Sequence, residues 1–322
     1  MIDSVKPVKS VSIIGCGDIG RRVAQQLLSQ AGLPAAAITG YARSAKSLSR
    51  ISQQGIGAKQ LDLDNLSATS TQNTTDFDQQ LVFYFAPPPK DGTTDTRIRA
   101  WLASLDPEHL PRRILYISTS GVYGDQQGKT ISEQTTPHPR AARARRRLDA
   151  EQALSQFVSD HSAGLSPDHI PAHFPDHSPD HSIDFVILRV PGIYGAQRLP
   201  RKRLEQQVPI LLPELSPVTN HIHEDDLRNI CVNAALKSNS GEIYNVADND
   251  HMTMSDYFIR VAEHLNLPIP PMINWQQAET TLSKGMLSYL KESRIIDNSK
   301  LLNKLGIVLK YPSLSDFFNL YS

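Results

Sequence analysis

Three glycines, at positions 15, 17 and 20, are the residues whose spacing points most directly to chemistry. They stand in Val11-Ser12-Ile13-Ile14-Gly15-Cys16-Gly17-Asp18-Ile19-Gly20, which opens with a mostly β-branched apolar run that reads as a buried strand. In a G-x-G-x-x-G arrangement each glycine has a physical task. Gly15 permits the tight strand-to-helix turn, Gly17 lets the backbone approach a pyrophosphate, and Gly20 lets the helix lie close on the strand. N–H groups at the helix start, around Asp18 and Ile19, would face the phosphates. The motif needs a helix after it, and Ile19, Val23, Leu27 and Leu28 recur at helical spacing. A dinucleotide site is therefore expected, with Gly15, Gly17, Asp18, Ile19 and Gly20 as its phosphate turn.

Further groups for such a site come from later strand ends, where open α/β sheets bind ligands. Strands are expected at residues 36–41, 57–63 and 81–86, which brings Arg43, then Asp62 and Leu63, then Ala86 and Pro87 to one edge. A site for NAD places an acidic residue at the end of the second strand, on the ribose hydroxyls. Between Asp18 and Asp62 this sequence has none. Arg43, with Lys46 nearby, suits a 2′-phosphate instead. The expected cofactor is NADP, with NAD as the alternative.

The elements that must hold these residues alternate along the chain. Strands at 114–118 and 183–190 follow those above, with helices at 94–105 and 139–157 between. Alternation with strands apolar on both faces argues an α/β fold, a Rossmann-type, doubly wound parallel sheet. We expect a dinucleotide-binding domain over 1–190 and a smaller C-terminal substrate domain over 191–322. The latter interleaves with the last sheet strand at 242–246. Residues 191–195 read as a loop, 198–207 as a basic helix, and His221 to Asp226 as the opening of another helix. Residues 159–182 repeat Ser-Pro-Asp-His phrases around five histidines, and the interleaved prolines at 171, 175 and 179 forbid a helix. This stretch is expected to be a disordered insertion.

Composition narrows the class. The 322 residues contain 33 Lys+Arg and 33 Asp+Glu, so no net field draws the protein to nucleic acid or to a membrane surface. The expected partner is a small-molecule substrate. Two distant cysteines, Cys16 and Cys231, give neither a disulfide framework nor metal-ligand spacing, and a reducing cytoplasm is expected. Cys16, inside the glycine turn, reads as a packing residue.

Taken together, the residues resemble the extended short-chain dehydrogenase/reductase superfamily, in its NAD-dependent epimerase/dehydratase branch. The resemblance rests on the glycine turn and on Tyr116-Ile117-Ser118-Thr119-Ser120-Gly121-Val122-Tyr123-Gly124. It extends to Leu188-Arg189-Val190-Pro191-Gly192-Ile193-Tyr194-Gly195, to His223-Glu224-Asp225-Asp226-Leu227 and to Ile243-Tyr244-Asn245-Val246. It implies an oxidoreductase or epimerase acting on a small, sugar-like or anionic molecule. The family's catalytic Ser/Thr falls on Thr119, whose hydroxyl would hydrogen-bond a substrate oxygen; a strand-end threonine satisfying its own backbone is the other reading. The family's Tyr-x-x-x-Lys pair is missing. Aligning Leu148-Asp149-Ala150-Glu151 with the segment that follows that lysine puts Arg143 at the tyrosine and Arg147 at the lysine. A guanidinium stays charged and only donates. Arg147 could donate to a nicotinamide ribose, whereas Arg143 cannot trade a proton. Tyr123 and Tyr194, after strand ends, are the expected substitutes. Arg145 and Arg146 read as a solvated helix face, and His223 as a helix cap. The competing function is an NADP-binding regulatory or interaction protein that has lost catalysis.

Overall fold

The computed structural model describes residues 8–30, 32–66, 76–162 and 183–320. β1 (Val11–Ile14) is buried along its whole length, as its mostly apolar character suits in a central strand, and its one polar residue, Ser12, donates to Gln80 Oε1 at 2.6 Å. β2 (Ile38–Ala42) and β4 (Leu81–Tyr84) pair on either side of it in parallel, with Val11 opposite Ile38 and opposite Leu81. β3 (Gly57–Gln60) adds to β2, and β5 (Arg113–Thr119) adds to β4. Strands Asp184–Val190 and Glu242–Asn245 complete a seven-stranded sheet, in which β1 lies between β4 and β2. The chain moves outward from β1 to β3, then returns to the other side of β1 for β4. That reversal leaves a crevice at the strand C-termini, the place where doubly wound sheets bind ligands. The Rossmann-type fold expected from the sequence is the fold observed.

Helices α1 (Asp18–Gln30), α2 (Ala45–Ser52), α3 (Thr96–Ala103) and α4 (Ala142–Ser162) join these strands. Side-chain oxygens cap two of them: Ser44 accepts from Ser47 N, and Asp95 accepts from Arg97 N and Ile98 N. An aromatic cluster fills one side of the sheet. Trp101 of α3 meets Phe77 edge-on at 5.5 Å and Tyr84 at 5.2 Å, and Tyr84 leans on Tyr116 at 6.0 Å. α4 runs to Ser162, four residues into the segment expected to be disordered; residues 163–182 lie outside the described residues.

Two compact units divide the chain. The first comprises Met1–Ser118, Arg145–Leu188 and Arg228–Tyr244, and the second Thr119–Ala144, Arg189–Leu227 and Asn245–Ser322. The second unit is built on a core of Tyr194, Leu204, Tyr257, Phe258, Val261, Tyr311 and Phe317, clamped by short parallel ribbons. Here the structure corrects two expectations. Residues 191–195 are not simply a loop, because Gly192–Tyr194 is a strand that pairs with His221–His223. The histidine segment is therefore strand, and its helix begins only at Glu224. A three-residue ribbon is set by a partner far along the chain and has too little length to show a period of its own.

Candidate functional site

The first unit presents a cleft of about 270 Å³ at the C-terminal ends of β1 to β4. Its turn is fixed by backbone geometry. Gly15 has φ +71°, and a Cβ there would stand 2.5 Å from Ala86 N, so no other residue fits. Gly15 N and Cys16 N both donate to Tyr41 O, at 3.1 and 3.0 Å, tying the turn to the end of β2. At Gly17 the nearest atom to an added Cβ is Gly15 O at 3.8 Å, so this side is open to an approaching group. A Cβ on Gly20 would meet Ile13 Cγ2 at 3.0 Å, the close helix-on-strand contact its position implied. A dinucleotide fits these constraints: a bare backbone turn, a helix N-terminus behind it, and a cleft running along the sheet edge.

Seven sequence-expected residues line this one cleft: Gly15, Gly17, Arg43, Asp62, Leu63, Ala86 and Pro87. Asp18, Ile19 and Gly20 follow directly on α1. Ile19 and Gly20 are buried by it, and Asp18 pairs with Arg21 at 3.7 Å and Arg22 at 3.4 Å. Cys16 is buried and burial pushes its thiol up to about 12, which makes it packing rather than a nucleophile.

Two charged lining residues were not among the expected site residues. Asp64 accepts two bonds from Arg97, Nε to Oδ1 at 2.6 Å and Nη2 to Oδ2 at 2.7 Å. Arg43 Nη1 donates to the same Oδ2 at 3.0 Å. The Arg97 bonds, with both positive charges, hold the Asp64 carboxyl below its usual range. Asp64 had a signal, as the last residue of Asp62-Leu63-Asp64 at a strand end. Arg97 had none, since its reach across to β3 follows only from how α3 is docked.

On α4 the four arginines take different paths. Arg147 Nη1 donates to Ile117 O at 2.9 Å and to Tyr116 OH at 3.1 Å, so its guanidinium lies over β5, outside the cleft lining. Arg146 is 7% exposed and Nη1 donates to Gly92 O at 2.6 Å, which corrects its expected place on a solvated face; only Arg145 is exposed. A helix packed on a sheet buries whatever faces the sheet, and an Arg stem is apolar enough to be taken in. Beside Arg147, Ser118 Oγ donates to the buried Glu151 carboxylate.

The remaining expected residues belong to the second unit. Thr119 Oγ1 accepts from Gly121 N at 3.2 Å and caps the 3-10 turn Ser120–Tyr123. Its own O–H remains available as a donor. Tyr123 and Tyr194, expected as proton carriers after strand ends, are both completely buried. Tyr123 OH donates to Asn245 Oδ1 at 2.7 Å and accepts from Arg189 Nη1 at 2.9 Å. Tyr194 packs edge-on against His223 and Phe317, and burial together with the nearby Asp248 pushes its phenol far up. Arg143 Nη1 donates to Ser288 Oγ at 2.6 Å, and its guanidinium lies 3.6 Å over the Tyr289 ring. His223 Nδ1 accepts from Asp225 N at 3.1 Å, the cap expected of it. Arg198, half-buried at the start of the basic stretch, pairs with Glu224 at 2.9 Å. Among the described residues no group of three or more His, Cys, Asp or Glu could hold a metal ion, and no helix is long and apolar enough to cross a membrane.

With this geometry established, comparison with known proteins gives a consistent result. A model of the NAD dependent epimerase/dehydratase family matches residues 12–247. Protein YeeZ of Escherichia coli K12 is 23% identical over 310 residues, 95% of this chain and 97% of YeeZ. Among solved structures, a functionally unknown conserved protein from Silicibacter pomeroyi superposes with a TM-score of 0.70 at 24% identity, covering 97% of both chains. The UDP-glucose 4-epimerase of Thermotoga maritima, solved with UDP-glucose, gives 0.69 at 17% identity, over 97% of this chain and 96% of that one. The UDP-glucuronic acid 4-epimerase of Bacillus cereus, in complex with NAD, gives 0.66 at 17% identity over 96% of each chain. At these identities the structural likeness is one of fold.

Proposed function

We propose, from the premise that this chain belongs to the NAD-dependent epimerase/dehydratase family, that it binds NADP and acts as an atypical oxidoreductase or epimerase on a small anionic or sugar-like molecule. One observation carries the cofactor reading: the wall of the cleft at the end of β2 is Arg43, where an NAD site would present a carboxylate. When bound, the nicotinamide would accept or deliver hydride. The glycine turn would hold the pyrophosphate, and Arg43 the 2′-phosphate. Nucleotide sugars are the first substrates to try, since epimerases of similar fold were solved with UDP-glucose and with UDP-glucuronic acid.

The proton-transfer group is not Tyr194, whose phenol burial raises far out of the working range. Tyr123, wholly buried between Asn245 and Arg189, is likewise a structural phenol in this reading. Thr119 keeps a donor for a substrate oxygen. Those two buried tyrosines, with Arg143 in the place of the family's phenol, also favour a second reading, a cofactor-holding protein without turnover.

Calorimetric titration of the purified protein with NADP and NAD tests the first claim. Wild type should prefer NADP, and Arg43→Asp should weaken NADP while sparing NAD. A wild type that prefers NAD defeats the proposal. Incubation with a panel of UDP-sugars, following nicotinamide absorbance and product epimers, separates the enzyme from the silent binder.

A further inference from the structure

Arg43, Asp64 and Arg97 line the cleft together, and they divide the Asp64 carboxylate unequally. Arg97 meets it through two parallel bonds, at 2.6 and 2.7 Å, from a side chain only 19% exposed. Its third nitrogen, Nη1, is pinned to Pro87 O at 2.9 Å and Pro88 O at 3.4 Å. Arg43 reaches Asp64 through a single bond of 3.0 Å from a side chain 64% exposed. A bidentate, shielded pair outweighs a single solvated one. The negative charge of Asp64 is thus matched first by Arg97, and the one net positive charge of the trio resides on Arg43.

We propose that Arg97 is a specificity-determining positioning residue, which neutralises Asp64 so that the charge of Arg43 is available to a phosphate monoester on the adenosine ribose. The inference rests on the NADP reading and adds to it a residue that need not touch the phosphate. Its force lies in what Asp64 would do alone. An unneutralised carboxylate beside a ribose accepts from the hydroxyls and repels a phosphate dianion, which is the logic of an NAD site. Without Arg97, Asp64 would pair wholly with Arg43, and that pair would carry no net charge to meet a phosphate. Arg97 therefore decides which way Asp64 acts.

Dissociation constants for NADP and for NAD, measured on the full chain by calorimetry, give the affinity ratio that tests this. Arg97→Ala should lower the NADP/NAD ratio by roughly tenfold or more, much as Arg43→Ala does. Adding Asp64→Asn to Arg97→Ala should restore the ratio to within about threefold of wild type, because Arg43 again carries one unopposed charge. Asp64→Asn alone should raise the ratio above wild type, and this arm decides the matter if Arg97→Ala does not fold. An unchanged ratio in Arg97→Ala, a loss that Asp64→Asn does not rescue, or no rise in Asp64→Asn overturns the proposal. Failed rescue would show that Arg97 acts only by bracing Pro87 and Pro88. If Arg43→Ala itself leaves the ratio unchanged, the NADP reading fails and not merely this refinement.

Discussion

In the first unit the polar groups of interest, Arg43 and Asp64 after strand ends and Arg97 on α3, are partly open to solvent and paired with one another around a cleft whose turn is built on glycine backbone. In the second unit the groups that sequence position recommended are sealed in. Tyr123 and Tyr194 have no exposed surface, and each is held by side chains of its own core. Arg97 apart, both sets follow strand ends. What separates them is the turn taken after the strand. Gly15 and Gly17 bring bare backbone to the open side of the first turn while Cys16 packs inward, whereas the 3-10 turn Ser120–Tyr123 rolls its tyrosine inward. A place after a strand end is therefore not sufficient to bring a side chain to a cleft.

The largest effect should come from the turn that distinguishes the first unit. Gly15→Val combines a left-handed backbone with a Cβ 2.5 Å from the Ala86 backbone, which cannot step aside. Strain and overpacking together should cost about 3–5 kcal/mol in urea denaturation, with loss of cofactor binding. Gly17→Ala is the control, since an added Cβ there meets nothing closer than 3.8 Å. It should leave stability nearly intact and weaken cofactor binding alone. Equal stability losses in the two variants would mean that Gly17 is structural and that the open side of the turn is not a ligand surface.

Next in size is Tyr123→Phe. Removing the hydroxyl leaves Asn245 Oδ1 and Arg189 Nη1 without that partner in a dry core, at a cost of roughly 1–3 kcal/mol. Thermal melts should show the loss, while any turnover found with the substrate panel should persist per folded molecule. A variant of full stability and no turnover would break the comparison, making Tyr123 a chemical group after all.

The contrast also marks what the sequence could and could not reveal. The parallel sheet was legible because β1 is mostly apolar, β4 is apolar throughout and glycine punctuates the first turn. The cleft was largely legible for the same reason, since a strand end fixes Arg43, Asp62 and Ala86 whatever their side chains do. Arg97 and the burial of Arg146 were not, because both depend on how a helix docks on the sheet, which local spacing does not encode. The burial of Tyr194 was not legible either, since the ribbon it belongs to joins residues nearly thirty positions apart.

A pH titration of stability sharpens the picture of the second unit as a dry core. His221 lies stacked on Tyr257 at 4.2 Å, and burial lowers its pKa to about 4 from 6.5. The native state thus binds fewer protons than the unfolded one, so the His221 contribution is complete above pH 6.5 and is lost as pH falls toward 4. Asp226 and Asp248, buried in the same unit and raised by that burial, have the opposite sign: they favour the native state at low pH and cease to as pH rises through their folded values. Wild type should therefore show only a modest fall between pH 6.5 and 4. His221→Phe should remove the falling part and be relatively more stable at pH 4.5 than at pH 7. Parallel curves for the two proteins would show that His221 is solvated.

The smallest expected effect tests the first unit at a helix whose arginines looked alike in sequence. Arg146 is 7% exposed and donates to Gly92 O at 2.6 Å, while Arg145 beside it points to solvent. Arg146→Ala removes a charge-assisted bond to a backbone carbonyl together with a buried stem, and should cost about 1–2 kcal/mol. Arg145→Ala should stay within roughly 0.5 kcal/mol of wild type. Neither should alter the NADP/NAD affinity ratio, because neither lines the cleft. If Arg146→Ala changed that ratio as strongly as Arg43→Ala, the positive charge of α4 would be part of the cofactor site. The site would then owe its selectivity to a helix field rather than to the pairing at Asp64. If instead both alanine variants melt like wild type, the loop at Gly92 is held by its own contacts and the buried guanidinium contributes nothing to stability.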